Sequence, residues 1–282
     1  MAGTEEHQQH MMMEVEEGWA VIQQGIDKLI QIIEGDKTQS FSSQEYMNIY
    51  TTVYNMCNPN PTGGMCEVLY EKYNDVFKDY INSQVLPSLQ GKEDEALVKE
   101  TVKRWSNHKV MTRWLVRFFH YLDRYFAPKR KLPTLQDSAL LSFYNLVFGE
   151  FNNQIRDVVL SMINQEREGE GIDQTLVKNI VGIYVDVGQG SMKYYERDFE
   201  EAMLKATAAF YSTKAANWIK NGSYNDYMLK VECYLKHERE TVSCYLQNTS
   251  QKKLLEIVEY ELISVYENEM KEKKQADESP EG

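Results

Sequence analysis

Residues 46–57 read YMNIYTTVYNMC. Tyr46, Tyr50 and Tyr54 fall four apart, with Met47, Ile49, Val53, Met56 and Cys57 between them. At about 100° per residue this spacing is helical, not extended. The apolar arc runs from Met56 through Ile49, Val53, Tyr46, Cys57, Tyr50 and Tyr54 to Met47. It spans roughly half the wheel, against about 100° for an ordinary core stripe. Either the helix is buried on two sides, or one side is a partner surface. Tyrosine suits the second reading, because it offers apolar area with a polar tip.

The same kind of stretch returns at 110–126, VMTRWLVRFFHYLDRYF. Val110, Met111, Trp114, Leu115, Phe118, Tyr121, Leu122 and Tyr125 make its apolar half. Lys109, Arg113, Arg117, His120 and Arg124 gather in a strip about 80° wide on the other side. A cationic strip is either a solvated face or a docking strip for an acidic partner. Tyr121 lies at the seam between strip and core face.

Helical periodicity extends along the chain. Helices are predicted at 12–34, 43–57, 66–89, 93–106, 108–127, 135–167, 173–187, 191–220, 223–247 and 250–274. Ser42 or Ser43 can cap the second of these. CNPNPTGG at 57–64 breaks it, and Pro128 and Pro133 close the first block. No strand pattern appears, and 6 Pro and 15 Gly in 282 residues fit long helices. The fold class is therefore all-α. Two blocks of about five helices each are expected, 12–130 and 131–275, with the end of the second reaching into a further repeat. The segments 1–11 and 276–282 are expected to be disordered. One irregular all-helical domain is the simpler alternative.

The totals constrain function. With 42% hydrophobic and 26% charged residues the chain is globular in composition. A net charge of −12 argues against general nucleic-acid binding. No apolar run approaches the roughly 20 residues a membrane helix needs, and the polar N-terminus has no signal-peptide core. Cytoplasm and nucleus are the expected locations. Cys57, Cys66, Cys233 and Cys244 lack metal-ligand spacing, and free thiols are expected. The histidines share no ligand spacing, and Glu166, Glu168 and Glu170, beside loop glycines, read as solvated charge. No phosphate loop or hydrolase motif is present. Neither a cofactor nor an enzymatic activity is expected.

Five stretches together carry a resemblance. They are EGWAVIQQGIDKLIQIIEG (17–35), YMNIYTTVYNMCN (46–58), KRWSNHKVMTRWLVRFFHYLDRYF (103–126), INQEREGEGID (163–173) and YERDFEEAMLKATAAFYSTKAANWI (195–219). The chain resembles the N-terminal half of a cullin, of the plant group that serves F-box proteins. The match runs from about residue 14 to about 265.

The resemblance implies a stalk of stacked five-helix cullin repeats. It also implies that the second and fifth helices of the first repeat bind an acidic adaptor, the S-phase-kinase-associated protein that carries F-box proteins. By position the adaptor contacts fall on Tyr46, Ile49, Tyr50 and Val53, and on Tyr121 and Arg124, with Arg117 in the same cationic strip. Cullins continue into a globular domain that holds a RING-box protein. A chain that stops at Gly282 is expected to keep adaptor binding and to lack RING recruitment. A degenerate repeat that uses another surface is the alternative. The apolar face Leu254, Val258, Leu262 and Val265 of the last helix is expected to be unpartnered, which invites self-association.

Overall fold

The computed structural model of the protein describes residues 2–61 and 63–278. Every regular element among these residues is helical. In chain order they are α1 (Ala2–Ile33), α2 (Ser43–Cys57), α3 (Gly64–Tyr80), α4 (Leu86–Leu89), α5 (Asp94–Phe118), α6 (Ala127–Arg130), α7 (Leu135–Phe143), α8 (Gly149–Arg167), α9 (Gln174–Gly188), α10 (Lys193–Tyr195), α11 (Glu201–Asn221), α12 (Tyr224–Tyr245), α13 (Asn248–Glu259) and α14 (Glu267–Glu278). Wider π turns at Ile81–Val85, Leu122–Phe126, Tyr144–Phe148, Glu196–Glu200 and Tyr260–Ser264 interrupt the rods. Two of these have a local cause. Pro87 and Pro128 lack an N–H and crowd the carbonyl four residues back, and a π turn just before each makes room.

The chain divides into two compact units. The first comprises residues 1–93 and 100–151, and the second 94–99 and 152–282. Prolines near 130 suggest a boundary there, but α7 belongs with the first unit. Tyr73 donates its hydroxyl to the Leu135 carbonyl at 2.8 Å, and the His108 ring nitrogen Nε2 meets the Ala139 carbonyl at 2.8 Å. The core of this unit is aromatic. Tyr73, Phe77, Phe118, Phe119, Phe126 and Phe143 are all fully buried. α1 approaches α2 closely at Gly25, where a Cβ would run into Ile49 Cδ1.

Three expectations change here. The helices predicted at 93–106 and 108–127 are one helix, α5, through residue 118. The polar run Ser106–Asn107–His108 looks like a break but makes tertiary bonds. Asn107 Nδ2 donates to the Ile33 carbonyl at 2.9 Å, satisfying an orphan acceptor at the end of α1. The terminal segments are also more helical than expected. α1 runs back to Ala2, since the 1–11 stretch is rich in helix-forming Glu, Gln and Met. α14 runs on to Glu278, and residues 279–282 lie outside the described range. Lys273 Nζ helps to seat α14 by donating to the Gly222 carbonyl at 2.6 Å.

The second unit buries most of the face that the sequence leaves unpartnered. Leu254, Val258 and Leu262 are buried, and Tyr227 donates to the Leu262 carbonyl at 2.6 Å. Only Val265 of that set is exposed. The unpartnered apolar face therefore does not exist as drawn, because α11 and α12 cover it.

His108 carries a testable consequence. It is fully buried against Phe77, Trp105 and Phe143, and its Nδ1 has no hydrogen-bond partner. Burial holds its pKa down to about 4, against an ordinary 6.5, although the Ala139 carbonyl pulls the other way. The folded state therefore binds this proton less readily than the unfolded chain. Stability is complete above pH 6.5 and falls as the pH drops from 6.5 toward 4. The gap corresponds to about 3 kcal/mol. Urea melts at pH 7.5 and pH 5 are expected to show about 2 kcal/mol of this loss, and His108→Phe to flatten it. An equal pH slope in the variant assigns the effect to other groups.

Candidate functional site

The N-terminus of α2 is fixed by a capping box. Ser42 Oγ accepts from the Glu45 backbone N–H at 3.2 Å, and Glu45 Oε2 accepts from the Ser42 N–H at 2.8 Å. Lys28 Nζ reaches Glu45 Oε1 at 2.5 Å. The Lys28 ammonium and the Ser42 groups hold the Glu45 carboxyl down to about 2, so the cap persists in mild acid. The cap in turn fixes which way the arc of α2 faces.

The structure splits that arc. Ile49, Val53 and Cys57 point into the unit and are buried. Tyr46 and Tyr50 are half-buried, and their rings stack at 6.4 Å. Met47 and Tyr54 are exposed. Two of the α2 positions expected at the partner contact therefore need correcting. Ile49 is 4% exposed and Val53 is 0% exposed, so both pack the unit and support the neighbouring tyrosines.

Between α2 and α5 lies an open groove of about 770 Å³. Phe41, Tyr46, Tyr50 and Trp114 form apolar walls, and Arg117 and His120 stand at its edge. Phe41 anchors the groove by packing on Trp114 at 4.9 Å and on Phe118 at 5.5 Å. Tyr46, Tyr50 and Arg117 are thus brought together. Tyr121 and Arg124 lie outside the groove lining, in a second aromatic cluster. There Tyr54 meets Tyr121 edge-on at 5.3 Å, Tyr121 meets Tyr125 at 4.7 Å, and the Arg124 guanidinium sits 5.4 Å from the Tyr125 ring. Tyr121 is only 7% exposed, and its hydroxyl donates to Asn58 Oδ1 at 3.5 Å.

The cationic strip is exposed along its length. Lys109 rests over the Trp105 ring at 5.7 Å. Arg113, Arg117 and Arg124 form no ion pair among the described residues. Phe41, Met47 and Trp114 are not among the contacts expected from sequence, whereas His120 belongs to the expected cationic strip. Phe41 sits in a loop, which a helical wheel ignores, and Trp114 reads as core. Met47 was the legible one, at the outer limit of the arc.

Among the described residues no carboxylate lines the groove. Among the described residues no group of His, Cys, Asp or Glu could hold a metal ion, and no helix is long and apolar enough to cross a membrane. Rings, hydroxyls, a guanidinium and an imidazole on two rigid helices suit recognition of a protein surface. The fold and this face define an all-helical interaction module.

Comparison with known proteins places that module in a family. Residues 19–278 match the cullin alpha solenoid domain. The chain is 51% identical to Cullin-1 of Oryza sativa subsp. japonica over 261 residues, which is 93% of this chain and 35% of that protein. It is 46% identical to putative cullin-like protein 2 of Arabidopsis thaliana, over 88% of this chain and 66% of that one. It is 41% identical to cullin-like protein 3 of Arabidopsis thaliana, over 85% and 92%. The chain belongs to the cullin family. It spans about a third of the length of the rice protein.

Proposed function

We propose that the α2–α5 face docks the acidic adaptor that carries F-box proteins, which makes this chain a non-catalytic scaffold in a ubiquitin ligase complex, acting in the cytoplasm and nucleus. One observation carries the reading. Partly exposed aromatic side chains and Arg117 line one groove, and Arg117 belongs to an exposed strip whose arginines form no ion pair among the described residues, on a chain whose net charge is −12. Aromatic anchors in a groove supply affinity, and unneutralised cations steer an acidic partner and fix its register. The identity of the adaptor is taken from the family resemblance.

The test is binding of residues 1–282 to immobilised adaptor, alone and with an F-box protein. The triple substitution Arg113→Glu, Arg117→Glu, Arg124→Glu is expected to slow association about 10-fold or more at low salt. The difference should shrink at high salt, where exposed charges are screened. RING-box protein offered as a second bait is not expected to be retained, because these residues fold into helical repeats. If the wild type ignores the adaptor while remaining folded, the reading as a repeat protein with another docking surface takes over.

A further inference from the structure

A second groove lies between α1 and α3, within the first unit. It holds about 420 Å³ and shares no lining residue with the α2–α5 groove. Half-buried Trp19 and Ile30 of α1 give it apolar wall. Asp27 of α1 and Asp75 and Asp79 of α3 bring three exposed carboxylates to it. The rise from Trp19 to Ile30 makes the groove about 16 Å long, or about three helical turns. That shape admits a row of side chains and not a whole helix.

The charge of this groove is not balanced within the chain. Asp27 accepts from the Gln23 amide at 2.8 Å, and neither Asp27 nor Asp79 forms an ion pair among the described residues. Asp75 meets Lys78 at 2.9 Å, but both side chains are more than half exposed, and water screens such a pair. Glu71, Asp75 and Asp79 fall four apart, so like charges stack along one face of α3. That arrangement weakens a helix unless a cation meets it. Lys72 shows what the groove accepts. Its ammonium lies 4.8 Å from the centre of the Trp19 ring, a cation held against an aromatic wall. One ammonium against three carboxylates leaves the groove negative.

We propose that the α1–α3 groove docks a basic amphipathic helix of a second partner protein. Lysine or arginine side chains on one row of that helix meet Asp27, Asp75 and Asp79, and apolar side chains on the adjoining row pack on Trp19 and Ile30. Charge complementarity picks this occupant. An acidic segment is repelled by the carboxylates, and a purely apolar one leaves them desolvated without partners. The two grooves have opposite charge, so each rejects the partner that the other attracts. One scaffold can thereby hold an acidic and a basic protein at the same time. The inference does not depend on which partner fills the α2–α5 face.

The probe is a fluorescein-labelled helical peptide of about three turns, with arginines four apart on one face and leucines beside them. Its control carries glutamate in place of every arginine. Fluorescence anisotropy with the full chain is expected to show binding of the arginine peptide alone. Asp75→Asn with Asp79→Asn is expected to weaken it about 10-fold, and raised salt to weaken it further. Glu201→Gln with Glu267→Gln makes the same change in net charge on the second unit and is expected to leave binding unchanged. Hydrogen exchange on the wild type should show protection by the peptide at residues 19–30 and 72–84. That readout decides the matter if the aspartate variant does not fold. No binding, equal binding of the glutamate peptide, equal loss in the two charge variants, or protection confined to other segments overturns the proposal.

Discussion

Glu238→Ala is expected to cost the fold about 3–5 kcal/mol, because it leaves a buried guanidinium without its counter-charge. Arg167 and Glu238 lie 71 residues apart, and each side chain is only 3% exposed. Arg167 Nε donates to Glu238 Oε1 at 2.7 Å. Two further donors are used, one to Thr207 Oγ1 at 2.8 Å and one to Asn164 Oδ1 at 3.0 Å. Tyr211 adds its hydroxyl to the same carboxylate oxygen at 2.5 Å. Burial and the nearby Glu238 charge push the Tyr211 hydroxyl well above its ordinary range, so it stays a donor. The guanidinium also faces the Phe210 and Tyr211 rings at 5.4 and 5.5 Å. Alanine at 238 removes one partner and keeps every other desolvation cost. The double change Arg167→Met, Glu238→Leu removes both charges and is expected to recover most of the loss. Glu201→Ala, which breaks a solvent-exposed pair with Lys205, should leave the melt unchanged. Urea unfolding followed by circular dichroism measures all three. A single-variant loss below about 1 kcal/mol means that water reaches Arg167 and the network is not a core element.

This network marks the limit of what the sequence discloses. Local signals are legible where local physics decides. Helix α2 is read correctly from 43 to 57, because Ser42 caps one end and a proline pair follows the other. The alternation of the arc into an inner and an outer row is implicit in the wheel. Glu166 shows the opposite case. Beside loop glycines it reads as solvated charge, yet it is buried. Tyr245 donates to it at 3.0 Å and Gln174 at 2.5 Å. The Tyr245 partner is 79 residues away, and nothing near Glu166 announces it. Glu168, two residues on, is exposed and pairs with Lys214. Polar residues inside α5 mislead for the same reason, since their carbonyl acceptors belong to α1 and α7. The π turn before Pro128 is foreshadowed by the proline, but the one at Tyr144–Phe148 has no such marker.

The candidate site separates inner from outer side chains, and that separation yields the second large effect. Tyr46→Ala with Tyr50→Ala is expected to weaken adaptor binding some 30-fold or more while sparing the fold. Truncating a buried aromatic anchor typically costs about 2–4 kcal/mol of binding, and both rings line the same groove. Their contribution to the unit is smaller, because both are half exposed. Ile49→Ala and Val53→Ala should behave in the opposite way. Their side chains are inside, so each opens a cavity, costing the fold about 1–4 kcal/mol and changing affinity only through unfolding. Met47→Glu gives a third and cleaner probe. Met47 is 49% exposed, so a charge there costs the fold little and places a carboxylate where an acidic partner would have to dock. Thermal melts alongside adaptor titrations separate the three cases. If the tyrosine pair lowers stability as much as Ile49→Ala does, and Met47→Glu binds like the wild type, the broad apolar arc of α2 serves packing alone and the partner meets another face.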